Sequence, residues 1–213
     1  MSERYEVPPE RLGRWLERWA EEHGPVERTE VRAERVTFVA ADGAAVDCDP
    51  PFPPLDAATG VRPGFDPTPL LDHVDRERVV GILLVRLGGY AVGVFSGRRL
   101  VASKVGRRQV HGRHRAGGQS QQRFARRRAG QARVALQAAA DVAARVLLEH
   151  RRDLDAIVVG GDRRALAEVL EDPRLRPLAP LVGERVLDVP DPRFAVLQAT
   201  PDLFRATVVR PRP

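Results

Sequence analysis

The sequence has few of the features that indicate an exported, membrane-spanning or metal-binding protein. Its 213 residues include one cysteine, Cys48, which excludes an internal disulfide. No cysteine and histidine cluster has the spacing of a zinc site, so we predict no metal and no other cofactor. The longest apolar runs, such as VVGILLV, are too short to cross a bilayer, and the N-terminus lacks the pattern of a secretion signal. These absences favour a cytoplasmic protein without membrane contact.

Acidic residues are missing from one long segment. Residues 78–140 contain 14 basic residues and no Asp or Glu, although the whole chain has a net charge of only +6, so the remainder carries −8. Lys104 is the only lysine, and the high arginine content by itself indicates GC-rich codons. Codon preference would not segregate charge, whereas a polyanionic partner such as RNA would. The alternative is a solvated basic face without a partner.

The first 70 residues are predicted to form an extension that precedes the main domain. The apolar residues of ERLGRWLERWAEEHG recur at helical spacing, which indicates an amphipathic helix. The following TEVRAERVTFVAADGAAVDCD alternates apolar and polar residues around Asp42-Gly43, which predicts a β-hairpin. Seven prolines between Pro50 and Pro69 then indicate a connecting loop. We therefore expect residues 1–70 to contain a helix, a β-hairpin and a Pro-rich connection.

Residues 71–213 are predicted to form a compact α/β core. Three β-rich runs separated by turns of two residues must be antiparallel neighbours, which makes a meander. A proline-free run from about Ser120 to Arg152 then predicts a long helix. A buried strand, a helix begun at Asp162, and a last strand and helix follow. This order predicts a mixed sheet in which the antiparallel meander is followed by alternating helix and strand.

The predicted loop at residues 112–121 holds a Gly-Gly-Gln triplet among arginines. Gly117 and Gly118 let the backbone adopt positive φ and approach a ligand without an intervening Cβ. Gln119 offers an amide donor and acceptor that can hold a water and bond to charge developing on a carbonyl. A helix that begins near Ser120 would direct its positive end at this loop. The triplet therefore suits hydrolysis without a covalent intermediate.

Eight arginines around the triplet are the predicted RNA contacts, because they would flank the loop and the first turns of the long helix. They are Arg107, Arg108, Arg113, Arg115, Arg123, Arg126, Arg127 and Arg128. His111 and His114 also flank the loop, and a neutral-range pKa would allow either to act as a base. Their spacing fits neither a metal pair nor a triad, so RNA contact is the favoured role.

The segment GGQSQQRFARRR resembles the middle domain of eukaryotic and archaeal class-I peptide-release factors, and the resemblance covers about residues 78–209. The chain has no room for the codon-reading and partner-binding domains of those factors. It is therefore similar to a stand-alone form, the actinobacterial branch of the Vms-like release-factor family. The resemblance implies a ribonuclease H-like core and a monomeric, codon-independent peptidyl-tRNA hydrolase. The implied partners are large-subunit ribosomal RNA and peptidyl-tRNA on stalled ribosomes or large subunits.

By the same resemblance, Gly117, Gly118 and Gln119 enter the peptidyl-transferase centre. Gln119 would orient water at the ester that joins peptide to tRNA, with the 2′-OH of the substrate as proton relay. Two alternatives stay open: nuclease-like cleavage of the tRNA near its 3′ CCA end, and a non-catalytic ribosome- or RNA-binding factor. Four aspartates near strand ends could supply nuclease metal ligands, although turns and helix caps explain them as well. They are Asp155, Asp162, Asp188 and Asp191.

Overall fold

The computed structural model describes residues 3–86, 89–107 and 119–213, and within the last range the side chains of residues 119–129 are not described. The chain divides into two compact units. Unit 1 comprises Met1–Glu77 together with Pro201–Pro213, and unit 2 comprises Arg78–Thr200. No helix in the described ranges is long and apolar enough to span a membrane.

Unit 1 is built on a six-stranded antiparallel sheet. Its strands are β1 (Tyr5–Val7), β2 (Val26–Arg32), β3 (Arg35–Ala40), β4 (Ala45–Asp49), β5 (Gly60–Pro63) and β11 (Thr207–Arg212). They lie in the order β1-β11-β4-β3-β2-β5. Two helices belong to the same unit, α1 (Pro9–His23) and α2 (Thr68–Asp75).

Helix α1 confirms the predicted amphipathic helix at the N-terminus. Its apolar stripe of Leu12, Leu16 and Trp19 is buried in one hydrophobic cluster with Phe38 of β3 and Cys48 of β4. Residues three and four apart share one face of a helix, so this stripe seals the sheet while the charged residues between stay in solvent. Burial also raises the pKa of the Cys48 thiol.

Two expectations for this unit differ from the structure. The predicted hairpin exists as β3 and β4, but it is the centre of a larger sheet and not a separate helix-hairpin extension. The expected boundary at residues 70 and 71 also differs, because strand β11 pairs with both β4 and β1 in unit 1. Salt bridges from Arg210 to Asp49 and from Arg212 to Asp47 reinforce that pairing. The chain therefore forms two units rather than one compact domain with an extension.

Unit 2 contains a five-stranded mixed sheet. Its strands are β6 (Val79–Arg86), β7 (Gly89–Ser96), β8 (Arg99–Arg107), β9 (Ala156–Gly161) and β10 (Val182–Leu187), in the order β10-β9-β6-β7-β8. Strands β6, β7 and β8 form the predicted antiparallel meander, and β9 and β10 run parallel to β6. The predicted mixed α/β fold is confirmed at this level.

Helical segments link the strands of unit 2. They are α3 (Gln119–Glu149), α4 (Arg163–Leu170), a 3₁₀ segment (Pro173–Leu181) and α5 (Phe194–Phe204), whose last turn enters unit 1. The predicted cap of α4 is confirmed, since Asp162 Oδ1 accepts the N–H groups of Arg164 and Ala165 at 2.9 Å. Helix α3 lies close to the sheet at Gly81, where a Cβ would be 3.0 Å from Leu147 Cδ2.

Candidate functional site

The Gly-Gly-Gln triplet lies on the connection between an edge strand and the longest helix of unit 2. Strand β8 ends at Arg107, and Gln119 is the first residue of α3. The expectations for Gly117 and Gly118 fall outside the described residues. The same applies to Arg108, Arg113, Arg115, His111 and His114, and to the side chains of Gln119, Arg123, Arg126, Arg127 and Arg128.

The C-terminal half of helix α3 is packed against the rest of unit 2. Burial starts at Ala135 and continues along one stripe to Leu147, which faces the sheet. By contrast, none of the side chains described between residues 130 and 134 is buried, and Val134 is 47% exposed. Gln119 precedes Ala135 by sixteen residues, about 24 Å at the helical rise of 1.5 Å per residue. Gln119 therefore begins the helix at the end remote from this buried stripe.

A polar cluster fastens the packed half of α3 to the 3₁₀ segment. Arg174 Nη2 donates to Asp141 Oδ1 on α3 and to Asp172 Oδ2, each at 2.7 Å. The side-chain bond from Arg174 holds the pKa of Asp141 below its usual range. The pKa of Asp172 is also lowered, first by the Arg174 side chain and then by the backbone N–H that its carboxylate caps. These contacts fix the base of the helix whose other end carries Gln119.

Basic side chains on β8 are exposed and lack ion-pair partners. Arg99, Lys104 and Arg107 lie on this edge strand, and no carboxylate in the described ranges pairs with them. Some arginines of unit 1 are engaged by contrast: Arg35 Nε donates to Asp49 at 2.6 Å, and Arg62 Nη1 donates to Asp66 at 2.6 Å. The strand that leads into the loop therefore presents positive charge to an external partner.

Further positive charge lies at one edge of the unit 2 sheet, which we call the loop edge. Because β6, β8, β9 and β10 run in the same direction, they all end there, and α4 and α5 both start there. The loop edge consequently gathers exposed arginines from distant parts of the sequence: Arg107, Arg163, Arg164 and Arg193. Sequence reasoning identified only Arg107 among these. The remaining three follow strand ends, which is the signal that could have revealed them.

The four aspartates considered as nuclease ligands do not converge. Asp155 accepts the Val79 N–H at 2.7 Å at the start of β9, whereas Asp162 caps α4 beyond the end of the same strand. Asp188 pairs with Arg86 at 3.4 Å, and Asp191 is exposed. In the described ranges, no group of three or more potential metal ligands comes together. Within these ranges, the geometry gives a metal-dependent nuclease site on the aspartates no support.

Solved structures of translation factors are similar to this chain at low identity. An archaeal translation termination factor, aRF1, aligns at 15% identity with a TM-score of 0.45, covering 91% of this chain and 69% of that chain. Pelota from Archaeoglobus fulgidus aligns at 12% identity with a TM-score of 0.31, covering 92% of this chain and 59% of that chain. Among curated proteins, none matches the chain.

A protein family accounts for most of the chain. Residues 78–210 match the family described as the Actinobacteria/chloroflexi VLRF1 release factor. The matched region contains the meander, the Gly-Gly-Gln segment, α3 and the loop edge, together with part of β11. On this match, the chain belongs to the Actinobacteria/chloroflexi VLRF1 release-factor family.

Proposed function

We propose that this chain is a codon-independent peptidyl-tRNA hydrolase that frees nascent peptide from tRNA on stalled ribosomes or large subunits. The observation that carries the proposal is the Gly117-Gly118-Gln119 triplet between β8 and α3, within a region that belongs to a release-factor family. The proposed partners are large-subunit ribosomal RNA and peptidyl-tRNA, bound by a cytoplasmic monomer.

In the proposed mechanism, the chain supplies position and electrostatics but no nucleophile. Water attacks the ester carbonyl, and the bond from that carbon to the 3′ oxygen of the ribose breaks. The proton lost by water passes through the 2′-OH to the 3′ oxygen, so peptide carboxylate and intact tRNA are the products. Gln119 orients the water, and the glycines let the backbone approach the ester. Free N–H groups in the first turn of α3 favour the developing negative charge.

The length of α3 supports this role. A reacting group must reach a substrate that lies inside a ribosomal particle, and Gln119 lies about 24 Å along the helix from Ala135, the first buried residue among the described side chains. The first turn of α3 contains no acidic residue, so it does not repel RNA phosphates. The cations on β8 pair with no carboxylate in the described part of the chain and supply further attraction.

The decisive experiment uses purified large subunits that carry peptidyl-tRNA. Gln119→Ala is expected to leave particle binding unchanged and to slow peptide release by about 10²-fold, as loss of one preorganised donor typically does. Gln131→Ala is the matched control, because Gln131 lies on the same helix and is half-buried, and no hydrogen bond of its side chain is described. This control should release peptide at the wild-type rate.

The released tRNA distinguishes the remaining functions. Ester hydrolysis leaves a complete CCA end with a free 3′ hydroxyl, so the tRNA can be aminoacylated again. A tRNA shortened at its 3′ end would replace the proposal with nuclease-like cleavage. Normal release by Gln119→Ala would make the loop a contact only and would overturn the proposed mechanism. Absence of release by the wild-type protein would make the chain a non-catalytic binding factor.

A further inference from the structure

At the loop edge, a glycine on β7 lies between one arginine on β6 and one arginine on β8. Arg86 of β6 is in register with Gly89 of β7, and Gly89 is in register with Arg107 of β8. Adjacent strands lie about 4.8 Å apart, so the backbones of Arg86 and Arg107 are separated by about 10 Å. Alternation along the strands puts all three residues on the same face of the sheet.

The segment that leads into α5 crosses this face at the glycine. A Cβ on Gly89 would lie 3.6 Å from the Pro192 carbonyl oxygen and 3.7 Å from Arg107 Cγ. Pro192 and Arg107 are therefore both neighbours of Gly89, and Arg193 follows Pro192 directly. The segment that carries Arg193 thus passes the same glycine as Arg107, the last residue of β8.

An exposed aromatic residue follows Arg193 directly in the chain. Phe194, the first residue of α5, is 49% exposed and belongs to neither hydrophobic cluster of the described chain. Arg107 and Arg193 are also exposed, and no carboxylate in the described ranges pairs with either. Arg86 differs, because its guanidinium contacts Asp188 at 3.4 Å and its Nε is buried. We call Arg107, Arg193 and Phe194 the loop-edge patch.

We propose that the loop-edge patch binds unpaired nucleotides of RNA beside the Gly-Gly-Gln loop, an inference that rests on the proposed function. Two exposed guanidinium groups that pair with no carboxylate in the described ranges fit the phosphates of a backbone. A solvent-facing ring fits a base, because base–aromatic stacking works for any base whose face is free. Bases in a duplex are already stacked, so the ring selects single-stranded segments. An acidic peptide would use the arginines but would have no base to stack on Phe194.

The test measures binding of a short fluorescein-labelled single-stranded RNA by anisotropy, with a duplex of the same sequence as the second probe. Phe194→Ala should weaken single-strand binding roughly five- to 150-fold, the range for loss of one stacked base, and should leave duplex binding unchanged. Phe194→Trp should preserve binding of the single-stranded RNA. Tyr5→Ala is the matched control, since Tyr5 is 41% exposed but lies in unit 1; it should bind as the wild type does.

Charge is tested separately at Arg193. Arg193→Ala should reduce the slope of log affinity against log salt for the single strand by about 0.7, the value for one lost phosphate contact. Arg152→Ala is its control, because Arg152 is also exposed but follows α3 at the opposite edge of the sheet. This control should change the slope far less.

Three results would overturn the inference. They are wild-type binding of the single strand by Phe194→Ala, equal loss of duplex binding, and a polyglutamate peptide that binds with the same dependence on Phe194. Melting temperatures verify folding, and if Phe194→Ala unfolds, Phe194→Trp and Arg193→Ala carry the test. The assay involves no peptide release, so Gln119→Ala should bind the RNA normally. Failure of the proposed hydrolysis and failure of this surface are therefore distinguishable.

Discussion

Gly130 lies on α3 between Gln119 and the buried stripe that starts at Ala135, so its replacement tests whether the helix positions Gln119. Gly130 is exposed, and outside the helix backbone a Cβ there would meet nothing within 4 Å. Gly130→Ala therefore removes the penalty of a helical glycine, about 1 kcal/mol, without a clash. Gly130→Pro instead removes a backbone hydrogen bond and kinks the helix by more than about 20°.

The geometry of α3 gives the expected effect on activity. Gln119 precedes Gly130 by eleven residues, about 16 Å of helix, so a kink of about 20° displaces it by about 6 Å. Since a misplacement of about 1 Å can lower a rate by about 10²-fold, Gly130→Pro should slow peptide release at least that much. Its melting temperature should change little, because the buried stripe starts only at Ala135.

Two assays check this reasoning. Peptide release from large subunits should be lost in Gly130→Pro and retained in Gly130→Ala. Amide hydrogen exchange of residues 131–134 should slow about five-fold in Gly130→Ala, the equivalent of about 1 kcal/mol in local opening. Normal release by a folded Gly130→Pro variant would refute the idea that α3 positions Gln119.

Three further predictions concern stability and reactivity. Gly161 has φ +105°, and a Cβ there would collide with the Val85 carbonyl, so Gly161→Ala should lower the free energy of unfolding in urea by more than about 2 kcal/mol. Gly43 also has a positive φ, +92°, but open space around it, so Gly43→Ala should lower the free energy of unfolding by only about 1–2 kcal/mol. Equal losses in the two variants would contradict the role of the contact with the Val85 carbonyl. Cys48, fully buried with a raised thiol pKa, should react with a thiol reagent only on unfolding of unit 1, and rapid labelling of the native protein would disprove this. Burial alone would raise the pKa of Asp49, but hydrogen bonds from its arginine partners lower that pKa overall. Asp49 therefore stabilises the fold above pH about 4, and this stabilisation is lost as the pH falls further. In acid titrations, the free energy of unfolding of Asp49→Asn should lack this pH-dependent loss, and a profile like that of the wild type would contradict the prediction.

Elements whose determinants lie within a few residues could be predicted from the sequence. The stripe of α1, the Asp162 cap and the turn at Gly97-Arg98 are each local, and each is confirmed. The other predicted turn of the meander, at Gly88-Gly89, falls partly outside the described residues, and Gly89 already belongs to β7. Strand β11 could not be predicted, because Pro211 and two arginines make its sequence resemble a tail. Only its pairing with β4, more than 150 residues earlier, makes it a strand. Strand β5 was hidden within a proline-rich connection, a composition that an edge strand tolerates.

The same distinction applies to the candidate site. The Gly-Gly-Gln triplet and its arginines form one contiguous pattern, so the sequence revealed them, and their roles remain predictions. The approach of the Pro192–Arg193 segment to the end of β8 depends on Gly89 in a third segment and on the path of the chain. No pattern along the sequence encodes that approach.

The pairing of β11 with β4 has a consequence for the order in which the chain is made. Synthesis runs from the N-terminus, so all of unit 2 is produced before β11 can complete the sheet of unit 1. Until then β4 is an open edge, and such edges promote aggregation unless charge blunts them. Asp47 and Asp49 supply that charge, so a variant with alanine at both positions should aggregate more during refolding, as light scattering would detect. Once β11 has been synthesised, Arg210 and Arg212 form salt bridges with these carboxylates. The charges that oppose pairing of β4 with other chains then stabilise its pairing with β11.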